Sequence, residues 1–438
     1  MKKEGKNNVS RRAFVGSTAK ALAGFMILPR YVLGGKSQTG LLYTAPSDMI
    51  NLGLIGGGKQ GKILSSYFLK TEQVRFVALS EVYKAKADLT LKQIKDTYVK
   101  MPQLGNYADI AVYNDFRELL GRKDVDAVVI AAPDHWHAAM AVRAAEAGKD
   151  IYCEKPMALT VKEGRAMVNA ARKYNRVFQT GSMQRSWHEF RQTAELVRNG
   201  YIGQIKSIKV NVGPPPKPYD LPAEPIPDGL DWSKWLGPNE VPSVFNAELA
   251  PPVTKDVYPN WRNYREFGGG MVTDWGAHMF DIAQWAMDMD GSGPIMVTPP
   301  DKDHQFLTYQ YASGITMTHE PADTQGVTFN GSKGSIHVMR RKLETTPETL
   351  KDKIIGANEK HVYLSENHYK DFLQAMRNRT KPVADVEIGH RTATVCNIGN
   401  IAYDLKRPLR WNPEKEEFIN DDEANKLTGR EMRKEWVV

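Results

Sequence analysis

The chain of 438 residues has almost no cysteine, with Cys153 and Cys396 as the only two. That scarcity excludes a disulfide framework and a cysteine-built metal knuckle. Both thiols fall in segments that read as a buried strand and a helix, so packed free thiols are expected. Beyond the N-terminal segment no run is long and apolar enough to span a bilayer, and internal repeats, low-complexity tracts and heptads are missing. These absences set aside a membrane span in the mature chain, solenoids and coiled coils. A surplus of positive charge is also mostly missing. The net charge is +8, but eight basic residues against Glu4 and Asp48 place +6 of it before residue 49 and leave +2 for the rest. Global charge therefore gives no reason to expect nucleic acid as a partner.

What remains is an ordinary globular composition, 41% hydrophobic and 25% charged, in a chain long enough for two domains. Residues 1–48 stand apart. Ser10, Arg11 and Arg12, with Phe14 two places on, precede the short apolar run ALAGFMILP. A charged start followed by an apolar run of that length reads as an export signal. The paired arginines resemble a bacterial twin-arginine signal, which implies a periplasmic enzyme exported already folded.

From residue 49 to about 175, short apolar runs alternate with helix-period segments: INLGLIG, RFVALSE, DAVVIAAP and DIYCEKP, each followed by a helical stretch. That alternation predicts an α/β, doubly wound parallel sheet covered on both faces. The first strand-to-helix turn carries Gly56-x-Gly58-x-x-Gly61, with Lys59 and Gln60 inside it. The first glycine permits the turn, the second lets a pyrophosphate approach and the third lets the helix pack on the strand. Glu81 ends the next apolar run 20 residues after Gly61, where a carboxylate accepts both ribose hydroxyls and repels a 2′-phosphate. The cofactor expected is NAD.

Glu154-Lys155-Pro156 after a later strand, the segment AAPDHWHAAMAVRAAEAGKDIYCEKP, and Asp274-x-x-x-His278 resemble the signature of the Gfo/Idh/MocA oxidoreductases, in the family's order. The resemblance implies a Rossmann cofactor domain followed by an α+β domain with a mainly antiparallel sheet. It implies Pro133, His137, Glu154 and Lys155 near the cofactor, and Lys155, Asp274 and His278 at the substrate carbon, with His278 exchanging the hydroxyl proton. The family has Asn where this chain has Asp134. Read without the family, an amine at a strand end near a cationic nicotinamide should have its pKa lowered and so accept a hydroxyl proton. If residues 274–281 are helical, Asp274, His278 and Asp281 share one face. Asp281 is then expected as a structural partner. A metal site is not expected, for no cysteine or second histidine completes it. His135 and His137 are open between cofactor contacts and residues satisfying backbone groups.

Residues 176–438 change texture. QIKSIKVNVG, GITMTHE, HQFLTYQYA and GVTFNGSKGSIHVMR read as strands, and 367–376 and 387–405 as helices, the latter a candidate to return to the first domain. Residues 214–227 hold seven prolines and predict a stiff loop, either a cleft wall or a subunit-packing arm. Trp232, Trp235, Trp261 and Tyr264 are candidates for stacking on a sugar, or ordinary core residues. Arg185, Trp187, His188 and Arg262 are candidates for substrate hydroxyls or a carboxylate.

The expected activity is hydride transfer between a sugar, glycoside or polyol hydroxyl carbon and tightly bound NAD, with a homodimer or homotetramer implied. Two alternatives stay open. One is an NAD-dependent glycosidase that oxidises C3 transiently and eliminates the aglycone, and the other is a non-catalytic NAD- or sugar-sensing module.

Overall fold

The computed structural model describes residues 48–101, 109–240, 244–255 and 257–438, with two short paired strands at Gly35–Lys36 and Leu42–Tyr43. The basic segment and its paired arginines lie outside the described residues.

The first half forms a six-stranded sheet from β1 (Ile50–Ile55), β2 (Val74–Ser80), β3 (Ala111–Tyr113), β4 (Ala127–Ile130), β5 (Asp150–Cys153) and β6 (Phe178–Thr180). Every pairing is parallel and the order is β3-β2-β1-β4-β5-β6. β4 and β5 are buried at every position, as strands covered on both faces must be. The strands are joined through α1 (Lys59–Leu69), α2 (Lys84–Lys100), α3 (Phe116–Leu120), α4 (Asp134–Glu146) and α5 (Val161–Lys173). The start of α5 is set by a capping box. Thr160 accepts from the Glu163 N–H, and its hydroxyl donates to the Glu163 carboxylate at 2.9 Å.

The second half opens with α6 (His188–Arg198) and builds a nine-stranded sheet from β7 (Ile205–Val212), β8 (Met296–Thr298), β9 (Leu307–Gln310), β10 (Thr316–Pro321), β11 (Gly326–Gly331), β12 (Ser335–Met339), β13 (Lys342–Thr346), β14 (Leu409–Asn412) and β15 (Glu417–Phe418). The order is β13-β12-β11-β7-β10-β9-β8-β14-β15, antiparallel except between β7 and β10. The antiparallel expectation holds, with this one parallel pair as the difference. The alternating pattern of β7 buries Ile208, Val210 and Val212 and leaves Lys206 and Lys209 exposed.

The second half also carries α7 (Trp232–Leu236), α8 (Gly270–Asp274), α9 (Gly276–Ala286), α10 (His368–Asn378), α11 (Val386–Leu405) and α12 (Asp422–Lys426). Every residue of α9 is buried, which only a helix enclosed on all sides allows. Each fully buried large side chain on it, such as Phe280, contributes about 1.5–3 kcal/mol.

α11 touches both halves. At its start Glu387 pairs with Arg165 of α5 at 2.9 Å. Further along, Thr392 donates to Asp281 at 2.9 Å, Asn400 to the Gly269 carbonyl at 2.9 Å, and Tyr403 lies 2.7 Å from His319 of β10.

Candidate active site

The cofactor and substrate halves share one cleft of about 500 Å³, a size that suits small-molecule ligands. Its floor is the turn between β1 and α1. Gly56 has a φ of +98°, and a Cβ there would stand 2.7 Å from the Ala131 backbone, so glycine is required. A Cβ on Gly61 would come within 2.0 Å of the Gly56 carbonyl, which is the close helix–strand contact the pattern implies. A Cβ on Gly58 would meet nothing within 4 Å, so this side of the turn is open space at the start of the helix, where a phosphate is favoured. Glu81 sits beside this turn, accepting from the Gly57 N–H at 2.6 Å and the Tyr83 N–H at 2.9 Å. Lys59, Gln60, Pro133, His137 and Glu154 line the same space. These residues fit NAD, with an acidic side chain at the end of β2 and an open glycine edge at the helix start.

The Glu-Lys-Pro segment follows β5, with Lys155–Pro156 in the cis form. Lys155 Nζ donates to Asp274 Oδ1 at 2.8 Å and to the Asp274 carbonyl at 2.7 Å. Arg262 Nε stands 3.3 Å from the same Oδ1. Burial pushes the Asp274 carboxyl up, but Lys155 and Arg262 outweigh it and hold the pKa below its usual value, so it is ionised.

His278 lies one turn further on, across the α8–α9 junction at Trp275. It is buried, edge-on to Trp275 at 5.7 Å, and its Nδ1 has no partner. Burial first, then the charges of Lys155 and Arg340, hold its pKa well below 6.5, so the imidazole is neutral. In this structure the Asp274 carboxylate meets Lys155 and Arg262 and makes no hydrogen bond to the imidazole.

Asp134 opens α4 and lines the cleft. Burial pushes its carboxyl well above the usual range, with Arg262 pulling the other way. That shift favours the neutral form of the carboxyl, the form nearer to the Asn expected here. His137 Nδ1 and Nε2 each lie 2.9 Å from a backbone carbonyl, of Pro156 and Ala132. His135 Nε2 meets the Trp235 carbonyl at 3.0 Å and burial lowers its pKa to about 3. Both histidines serve the backbone. Among the described residues no group of three His, Cys, Asp or Glu is placed to hold a metal.

Several substrate candidates are displaced. Arg185 is 1% exposed, outside the cleft, and forks onto Asp281 at 2.8 Å and Asp290 at 2.7 Å. Burial alone would lower its pKa, but the two carboxylates raise it. Asp281 is thereby the structural partner expected of it. Trp187 packs against the second core and His188 only begins α6; neither lines the cleft. Trp232 and Trp235 stack on each other at 4.7 Å within a core that also holds Tyr264; of the three, Trp235 alone also lines the cleft. Trp261 does line the cleft, but Arg262 covers it at 4.2 Å. None of residues 214–227 lines the cleft, so the proline loop is not its wall.

Among the cleft residues that the sequence reading missed, three stand out. Tyr258 donates to Gln60 at 3.2 Å and lies under Lys59 at 4.9 Å. Trp436 packs edge-on to Trp136 at 4.7 Å and walls the cofactor end. Arg340 enters from the second sheet. Tyr258 lies in the aromatic-rich run ahead of α8, which could have flagged it; the other two lack any local motif.

Comparison with known proteins accounts for this arrangement. Residues 50–182 match "oxidoreductase family, NAD-binding Rossmann fold" and residues 217–438 match "oxidoreductase family, C-terminal alpha/beta domain". The chain belongs to the Gfo/Idh/MocA oxidoreductase family. A glycosyl hydrolase family 109 protein of Shewanella baltica is 30% identical over 211 residues, 45% of each chain, so this chain spans less than half of that curated relative's length. The aldose-aldose oxidoreductase of Caulobacter crescentus, solved with glycerol, shares the fold at a TM-score of 0.55 and 18% identity, over 83% of this chain and 99% of that one. A levoglucosan dehydrogenase solved with NADH and L-sorbose does so at 0.55 and 19%, over 82% and 98%. The cofactor of this Gfo/Idh/MocA member is NAD, as its matched NAD-binding domain gives it.

Proposed function

We propose that this NAD-binding oxidoreductase oxidises a ring or chain hydroxyl of a sugar, glycoside or polyol. NAD supplies the hydride acceptor when bound. The observation that carries the reading is the convergence of Lys155, Asp274 and His278 on the cleft that also holds the glycine turn. Asp274 fixes the Lys155 amine, which then donates a hydrogen bond to the substrate oxygen. His278, neutral and with an unpartnered Nδ1, takes the hydroxyl proton. The buried Trp261 and the half-buried Trp275 line the cleft and limit water around the reacting carbon.

A second reading, the NAD-dependent glycosidase, is favoured by one observation, the match to a glycosyl hydrolase family 109 protein. Oxidation and proton abstraction use the same groups in both. Export to the periplasm on the twin-arginine signal and assembly as a homodimer or homotetramer complete the proposal; Arg11 and Arg12 support the first.

The test adds a panel of sugars, polyols and aryl glycosides to the NAD-loaded protein. A reduced-nicotinamide absorbance that rises and persists supports net oxidation. Aglycone release without a lasting rise supports the glycosidase. Neither signal, together with an unchanged cofactor redox state in the Lys155→Met variant, would leave only a sensing module.

A further inference from the structure

Every cationic side chain at the reacting end of the cleft has a carboxylate, except one. Lys155 and Arg262 share Asp274. Arg340 has no ion pair and no hydrogen bond among the described residues, and its Nε is buried without an acceptor. A guanidinium carries five donors and no acceptor, and in this half-exposed one the buried Nε is left without a partner, which favours an incoming acceptor.

Its placement is not accidental to packing. Arg340 follows β12 and begins the two-residue turn into β13, and it is the only cleft-lining residue between 279 and 435 among those described. The turn is pinned: Arg341 adopts a left-handed φ of +63°, and its N–H donates to Glu189 Oε1 at 2.8 Å. The guanidinium lies over Trp275 at 4.4 Å and near Trp187 at 5.4 Å, so its plane is fixed before any ligand arrives. Its charge reaches His278 and it feels Asp274, which places it with the proton-transfer groups. A planar fork held flat and lacking an anion matches a carboxylate.

We propose that Arg340 recognises a carboxylate on the substrate, so that the preferred substrate is an acidic sugar, a uronic acid or its glycoside. This rests on the sugar-oxidising reading above and narrows it. Trp187, which does not touch the cleft, then acts through Arg340 as a positioning residue.

The experiment uses the NAD-loaded full chain and matched pairs differing only at C6: methyl glucuronide against methyl glucoside, and the galacto and manno equivalents, with glucose 6-sulfate as a third arm. Binding is read by calorimetry and turnover by nicotinamide reduction. The acidic member of at least one pair should be preferred about tenfold or more in affinity and in kcat/KM. In Arg340→Gln that ratio should collapse toward one while the NAD affinity holds, and Arg340→Lys should keep part of it. Equal affinity for both members of every pair, a preference for the sulfate, or an Arg340→Gln variant whose main loss is NAD affinity would each overturn the proposal. Selective binding of the acid that depends on Arg340, with no nicotinamide reduction by any sugar, would support it while sinking the oxidation reading.

Discussion

Lys155 and Asp274, 119 positions apart, meet at 2.8 Å, and the lysine also reaches the aspartate's own backbone carbonyl at 2.7 Å. The first residue follows the fifth strand of the cofactor sheet and the second ends the short helix before α9. Their contact joins the cofactor half to the substrate half at the point where the reaction is proposed to occur.

Replacing Lys155 by Met should lower kcat/KM about 10²–10³-fold, the range for a lost donor that stabilises charge developing on the substrate oxygen. Asp274→Asn should give a smaller loss, because the amine keeps the Asp274 carbonyl but not the carboxylate. Steady-state kinetics with the substrate found above, alongside NAD titration, checks both. Comparable losses in NAD affinity and in kcat/KM would place the pair at the cofactor rather than at the substrate.

With His278 as the proposed acceptor of the hydroxyl proton, its titration sets the acid limb of the pH–rate profile. Its folded pKa lies well below 6.5, because burial and the charges of Lys155 and Arg340 oppose protonation. The neutral base form therefore persists as pH falls through 6.5, and kcat/KM should stay level there and decline only well below it. A bend near 6.5 that disappears in His278→Asn would contradict this.

Asp134 makes a stability prediction of opposite sign to most carboxylates. Its folded pKa is raised well above 3.8 by burial, so folding binds a proton that the unfolded chain releases. The folded state is favoured by this group below pH 3.8, and the advantage is lost as pH rises through the folded pKa. Asp134→Asn should accordingly raise the thermal midpoint more at pH 8 than at pH 5. Equal shifts at the two pH values would show the carboxyl is ionised when folded.

Asp281→Ala leaves Arg185 buried with only Asp290, and should cost about 3–5 kcal/mol in urea unfolding, as broken buried pairs do. NAD affinity measured below the transition should be retained. A loss under 1 kcal/mol would mean that Asp290 and water satisfy the guanidinium on their own.

The parts of the site legible in the sequence were those whose chemistry is local. Gly56, Gly58 and Gly61 are dictated by one turn, and Lys155, Asp274 and His278 sit in short segments with family spacing. Helix 386–405 showed its period, and β7 its alternation. Arg185 was misread because its partners Asp281 and Asp290 are distant in sequence, so it had the same letters as a ligand residue and none of its surroundings. Trp232 and Trp235 were ambiguous for the same reason, since only tertiary packing separates a core ring from a stacking platform. Arg340 and Trp436 gave no signal. Each reaches the cleft through the path of the whole chain, one by a hairpin turn and the other by the return of the C-terminal segment.

α11 bears on how the cleft can open. It is 20 residues long, about 30 Å of rod, and is fastened to Arg165 on one side and to Gly269, Asp281 and His319 on the other. A strut clamped to both sides resists hinge rotation between them. Freedom to admit a ligand then falls to the cleft rim, where Val257 and Tyr258 are exposed, and not to jaws. Turnover in such an enzyme would be paced by a strip of surface loop while the frame stays still.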